Sequence, residues 1–87
     1  MANIEIYTRP GCGYCLHAKR LLSARGLTFS EYDVYTQPAH FEEMRSRLSL
    51  QNKSSRTFPQ LFIDNKAIGG FDQLLAFEKS GGLEQAA

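Results

Sequence analysis

The sequence predicts an α/β layer fold with a mixed sheet, and three observations carry that expectation. A short strand-like run near the N-terminus passes through a Pro-Gly turn into a helical stripe. A second strand pattern follows a glycine stop, and two short apolar runs near the C-terminus are separated by Asp-Asn-Lys. With 87 residues the chain is expected to form one domain, residues 1–87. Chains of this size bury roughly 60% of their unfolded surface, enough for a modest core.

Each element has its own local reason. Ile4-Glu5-Ile6-Tyr7 alternates apolar and polar among strand formers and stops before Pro10-Gly11, which predicts a first strand over residues 3–8. From Tyr14 onward, Leu16, Ala18, Leu21, Leu22 and Ala24 form a helical stripe among basic residues, closed by Gly26. Residues 27–34 have strand period, so strand, helix and strand make a βαβ unit with parallel strands. Residues 37–50 read as a helix: Pro38 stands near its start, Phe41, Met44 and Leu48 share a face, Glu42 and Glu43 come early, and Arg45 and Arg47 late. Residues 49–57 are polar and without period, hence a loop. Residues 59–63 are a short buried strand, Asp64-Asn65-Lys66 a tight turn, and Ala67-Ile68 the return strand, broken by Gly69-Gly70. A last helix over 72–79, with Leu74, Leu75 and Phe77, is ended by Gly81-Gly82.

The composition, 43% hydrophobic and 22% charged, is that of an ordinary globular protein rather than a disordered one. A formal charge of +1 gives no general attraction to nucleic acid or to a membrane surface. No apolar run has the length of a bilayer span, and the first residues lack a basic-then-apolar leader, so the expectation is a cytoplasmic protein without nucleic-acid or membrane partners.

Both cysteines of the chain lie in Cys12-Gly13-Tyr14-Cys15, after a strand and at the start of a helix. Two cysteines do not make the framework of a disulfide-stapled domain, and structural disulfides are rare in a reducing cytosol. A zinc site needs about four Cys or His ligands; only His17 and His40 remain, and His17 stands at a poor angle on the same helix. Two inert thiols are the bland alternative. C-x-x-C beside a βαβ pattern favours redox chemistry. A helix N-terminus offers free amides and the positive dipole end to a thiolate, so Cys12 is expected to attack. Cys15, one turn deeper, is expected to resolve.

Cys12-Gly13-Tyr14-Cys15, Thr57-Phe58-Pro59 and Gly69-Gly70-Phe71-Asp72, in this order and nearly end to end, make the chain similar to a glutaredoxin of the small dithiol bacterial type. It is less similar to a plain thioredoxin, whose tryptophan before the first cysteine has no counterpart in a chain without Trp. The resemblance implies a thioredoxin fold, a four-stranded mixed sheet flanked by about three helices, and glutathione as electron donor and co-substrate, with no tightly bound cofactor. It implies that Pro59 is cis and faces the cysteines, while the extended residue before a proline leaves the Phe58 backbone free to pair with a peptide. Gly70-Phe71-Asp72, ahead of the last helix, has free amides for a carboxylate and an acidic side chain for an ammonium, suiting the γ-glutamyl end of glutathione; taken alone, Asp72 reads as an ordinary N-cap. Arg9, where the family commonly has lysine, and Arg56 suit its glycine carboxylate, Arg being the better bidentate partner. The resemblance places Thr57 in the same groove, and Tyr14 either lines it beside the cysteines or simply packs on the helix.

The implied partners are glutathione and disulfide-bonded or glutathionylated proteins, met by a monomer. An alternative follows from Gly13: relatives without proline at this position include some that hold a [2Fe-2S] cluster between two subunits, through the first cysteine and glutathione of each. Gln73 in place of an acidic residue, Phe58 in place of the usual Val, and a longer 49–57 loop bear on substrate preference.

Overall fold

Residues 2–54 and 57–86 are described by the computed structural model. In chain order they form β1 (Ile4–Thr8), α1 (Gly13–Ala24), β2 (Ser30–Asp33), α2 (Ala39–Leu50), β3 (Gln60–Ile63), β4 (Lys66–Gly69), α3 (Phe71–Lys79) and α4 (Gly82–Ala86). The strands make one sheet in the order β2-β1-β3-β4, with β1 and β2 parallel and the other two pairs antiparallel. The mixed four-stranded sheet expected from the sequence is present.

Several boundaries differ from the sequence reading: β1 starts at Ile4, α2 runs from Ala39 through Leu50 into the expected 49–57 loop, β4 includes Gly69 and α3 starts at Phe71. Three further differences have a clear local reason. Residues 27–29 do not join β2, because Leu27 is bound into the end of α1. Its amide donates to the Leu22 carbonyl at 3.0 Å, the Gly26 amide donates to Ser23 at 2.9 Å, and Gly26 has φ +71°, which together make a Schellman stop. The hairpin turn is only Asp64-Asn65, both in the left-handed region (φ 50° and 67°), so Lys66 already belongs to β4. The helix before Gly81-Gly82 ends at Lys79 as expected, but it is not the last one. Gly81 (φ +85°) turns the chain, and α4 starts at Gly82, where the Phe77 ring leaves no room for a side chain: a Cβ there would stand 2.5 Å from a ring atom. Four helices, the last of them short, therefore accompany the sheet among the described residues, where about three were expected.

The Ile-Glu-Ile-Tyr alternation suggests one buried and one wet face, yet every residue of β1 is buried. Ile4 and Ile6 face a core shared with Ala18 and Leu22 of α1, Leu74 of α3 and Leu83 of α4. Tyr7 faces a second core of Met44, Leu48, Phe62 and Ala67 under α2. Glu5 lies on that same face and is satisfied rather than solvated. Arg47 of α2 forks onto its carboxylate at 2.9 and 3.1 Å, donates to the Tyr7 hydroxyl at 2.9 Å, and stacks 4.0 Å from the Phe62 ring centre. The Tyr32 hydroxyl adds a donor to Glu5 at 3.1 Å, and Tyr7 donates to Glu43. One polar network thus ties α2 to β1 and β2.

Arg47 holds the Glu5 carboxyl below its ordinary 4.5. A depressed carboxylate stabilises the fold above its unfolded pKa and loses that contribution as pH falls through the folded value. Urea unfolding is therefore expected to show Arg47→Ala about 3 kcal/mol less stable near neutrality, the cost of stranding a buried charge. The gap between wild type and Glu5→Gln should narrow below about pH 4.5. An Arg47→Ala protein as stable as wild type would mean that the network is only decorative.

Candidate active site

The first functional position is set by the way α1 begins. Cys12 is its N-cap, with extended backbone (φ −92°, ψ 106°), and its sulfur accepts the Cys15 backbone amide at 3.1 Å. A helix N-cap side chain commonly accepts such an amide; here the acceptor is the sulfur itself. As a thiol, Cys12 also donates to the Phe58 carbonyl at 3.6 Å. Both cysteines are free thiols, Cys12 half-buried and Cys15 buried. Burial, then the hydrogen bond to Cys12, push the Cys15 thiol up to about 12, against a weaker opposing pull from the Arg9 backbone amide. The two sulfurs of one motif therefore have different surroundings, one at the surface on a helix amide and one held neutral beneath it.

The Phe58-Pro59 bond is cis. Pro59 is buried, and its carbonyl lies 3.3 Å from where a Cβ on Gly70 would stand, so the segment before β3 and the start of α3 touch through backbone. The buried Gln60 side chain donates to the Thr57 carbonyl at 2.9 Å and to its hydroxyl at 3.2 Å, fixing the residue ahead of Phe58.

A groove of about 510 Å³ runs between these elements. Arg9 and Tyr14 reach it from either side of Cys12, and Thr57 and Phe58 from the segment before β3. Gly70, Phe71 and Asp72 supply its other end, together with Gln73. The Arg9 guanidinium lies 6.0 Å from the Phe58 ring centre. Seven of the residues expected to meet glutathione thus converge, and Pro59 stands directly behind them. Arg56 lies outside the described residues. Cys12 opens on a second hollow of about 420 Å³ with Cys15, Lys19 and Glu31, where Lys19 pairs with Glu31 at 3.0 Å and Thr8 donates to the same carboxylate at 2.8 Å.

One expected role changes. Asp72 is not the N-cap of α3: the helix begins at Phe71, Gly70 is the cap, and Asp72 sits in the first turn. Gln73 takes the capping part, its Oε1 accepting the Gly70 amide at 2.9 Å. The Gly-x-x-Gln spacing is the available sequence signal for this arrangement. Asp72 is thereby left to complement the helix dipole at the groove's edge.

Comparison with known proteins agrees with the geometry. A family model described as Glutaredoxin matches residues 4–68. Glutaredoxin 3 of Escherichia coli K12 is 44% identical over 84 residues, covering 97% of this chain and 95% of that one. The chain belongs to the glutaredoxin family. Among solved structures, the solution structure of glutaredoxin from Brucella melitensis is 41% identical with a TM-score of 0.74, covering 98% of this chain and 87% of that one. The crystal structure of a buckwheat glutaredoxin-glutathione complex superposes with a TM-score of 0.79 at 26% identity, over 98% of this chain and 76% of that one. The sheet and its helices are therefore a thioredoxin fold, and this glutaredoxin is a thiol-disulfide oxidoreductase. Among the described residues no helix is long and apolar enough to cross a membrane.

Gly13 is the first residue of α1, and a Cβ added there meets nothing within 4 Å. Cys12 already has the extended backbone that a following proline requires. Gly13→Pro is therefore expected to stabilise this glutaredoxin by about 0.4–1 kcal/mol through the unfolded state, a rise in Tm of about 2–8 °C by calorimetry. A lower Tm would mean that the helix start needs glycine's freedom.

Proposed function

We propose that this glutaredoxin uses glutathione to reduce protein-glutathione mixed disulfides and protein disulfides, with Cys12 as nucleophile and Cys15 as resolving thiol. The observation that carries the reading is the convergence of Arg9, Tyr14, Thr57, Phe58, Gly70, Phe71 and Asp72 on one groove beside the Cys12 helix cap. The buckwheat relative described as a glutathione complex supports the same ligand. In this reading the free amides at the start of α3 and the Asp72 carboxylate receive the γ-glutamyl carboxylate and ammonium. Arg9 and Arg56 receive the glycine carboxylate, Phe58 pairs its backbone with the peptide, and Pro59 shapes the approach.

In the first step the Cys12 thiolate attacks the glutathione sulfur of the mixed disulfide. The new S–S bond joins Cys12 to glutathione, and the target cysteine leaves as a thiolate that takes up a proton. A second glutathione, as thiolate, attacks the glutathione sulfur; oxidised glutathione departs and the Cys12 thiolate is regenerated. Cys15 has no part in that cycle. With a protein disulfide, Cys12 forms a mixed disulfide with the target and Cys15, once deprotonated, attacks the Cys12 sulfur. The target's second thiol is released and Cys12–Cys15 remains for glutathione to reduce. One chain suffices, and the chemistry suits the reducing cytoplasm.

In a glutathione-coupled assay with a small glutathione mixed disulfide, Cys12→Ser should abolish turnover, while Cys15→Ser retains a substantial share and loses activity toward protein disulfides. Equal loss in both variants would overturn the assignment of roles.

A second use of Cys12 is favoured by one feature, the open space around Gly13 next to a half-buried thiol. In this second reading Cys12 would be the protein ligand from each of two chains to a shared [2Fe-2S] cluster, with glutathione in the groove beside it supplying the other thiolates. Reconstitution with iron, sulfide and glutathione should then give a coloured dimer on sizing. A colourless monomer would remove this reading and leave the redox cycle intact.

A further inference from the structure

We propose that His17 is a positioning residue of the groove, holding the Tyr14–Phe71 wall in the shape that meets the glutathionyl group; this rests on the function proposed above. Read from sequence, His17 is a surface residue of α1 two places beyond Cys15. In the fold its imidazole packs on two rings that both line the groove, with centroids 6.3 Å from Tyr14 and 5.8 Å from Phe71. Tyr14 and Phe71 themselves lie 5.9 Å apart at 24°, a stacked pair. Each ring of the trio touches the other two, within the range in which aromatic pairs attract.

The arrangement answers a problem posed by Tyr14. The residue is 62% exposed on the first turn of α1, where packing with the core does not hold a side chain. A loose ring would have to be ordered each time substrate enters, at a cost in affinity. Phe71 supplies one contact from the start of α3, and His17, at i+3 on the same helix as Tyr14, supplies the second. The trio also links α1, which carries the thiols, to the start of α3, which carries Gly70 and Asp72. His17 itself does not line the groove. Its action is therefore through the other two rings, in ground state and transition state alike, and belongs in KM rather than kcat.

The test compares wild type, His17→Ala and His17→Phe with a glutathionylated peptide in the coupled assay, alongside thermal unfolding and the NMR cross-peaks between the Tyr14 and Phe71 rings. His17→Ala should raise KM about fivefold, as expected for a lost aromatic contact, with kcat and Tm little changed. It should also weaken the ring cross-peaks. His17→Phe, which keeps a ring but no imidazole nitrogen, should restore both KM and the cross-peaks. Unchanged KM and cross-peaks in His17→Ala would overturn the proposal, as would equal KM increases in both variants or a parallel fall in kcat. If the wild type fails to turn over the glutathionylated peptide, it is the glutathione reading that fails. The cross-peaks then still decide whether His17 orders the wall.

Discussion

The Cys15 amide donating to the Cys12 sulfur is the contact on which the site depends. It starts α1, because an N-cap acceptor satisfies one of the amides that a helix leaves open. It also places a hydrogen-bond donor and the positive end of the helix dipole on the sulfur proposed as nucleophile. The same 3-residue offset puts the second thiol one turn inside the helix, where burial keeps it protonated. Helix initiation and the unequal surroundings of the two thiols follow from one local geometry.

The sheet brings the remaining parts to that sulfur. β1 ends at Thr8 and delivers Arg9 and Cys12, while its antiparallel neighbour β3 begins at Gln60, so the cis Phe58-Pro59 segment arrives at the same edge. β4 runs back beside β3, and its end at Gly69 places the start of α3 against the Pro59 carbonyl. The groove is therefore made of strand and helix ends, where backbone amides and carbonyls are not used up by the ladder. This order requires β1 to be central, buried on both faces, and the Glu5–Arg47 fork is what allows a carboxylate to remain there.

What could be read from sequence was whatever depends on near neighbours. The strand-turn-helix around Cys12, the Pro38 start of α2, the Asp-Asn turn and the Gly26 stop all rest on residues a few places apart. The family motifs supplied the groove, and seven of its expected residues meet there. What was missed involves partners distant in sequence. Glu5 finds Arg47 at a separation of 42 residues, and nothing in Ile-Glu-Ile-Tyr announces it. Phe77 covers Gly82, so the second glycine is a packing requirement where the chain turns into α4. His17 meets Phe71 only because α1 and α3 pack on the same face. Gln73 is the exception: its capping of Gly70 has a short-range signal, obscured by the acidic Asp72 beside it.

Recognition and stability are separated residue by residue along the groove. Exposed Tyr14 precedes Cys15, which is 3% exposed; Thr57 and Phe58 precede the buried Pro59 and Gln60; Asp72 and Gln73 precede Leu74, at 0%. Each residue that would meet a ligand is thus within three positions of a side chain locked in the core. Such anchoring limits how far a loop residue can move without disturbing packing, which makes a shallow groove on a small protein definite in shape. Phe58 and Gln73 follow the same pattern: each shapes what the groove presents while its anchor, Pro59 or Leu74, stays buried.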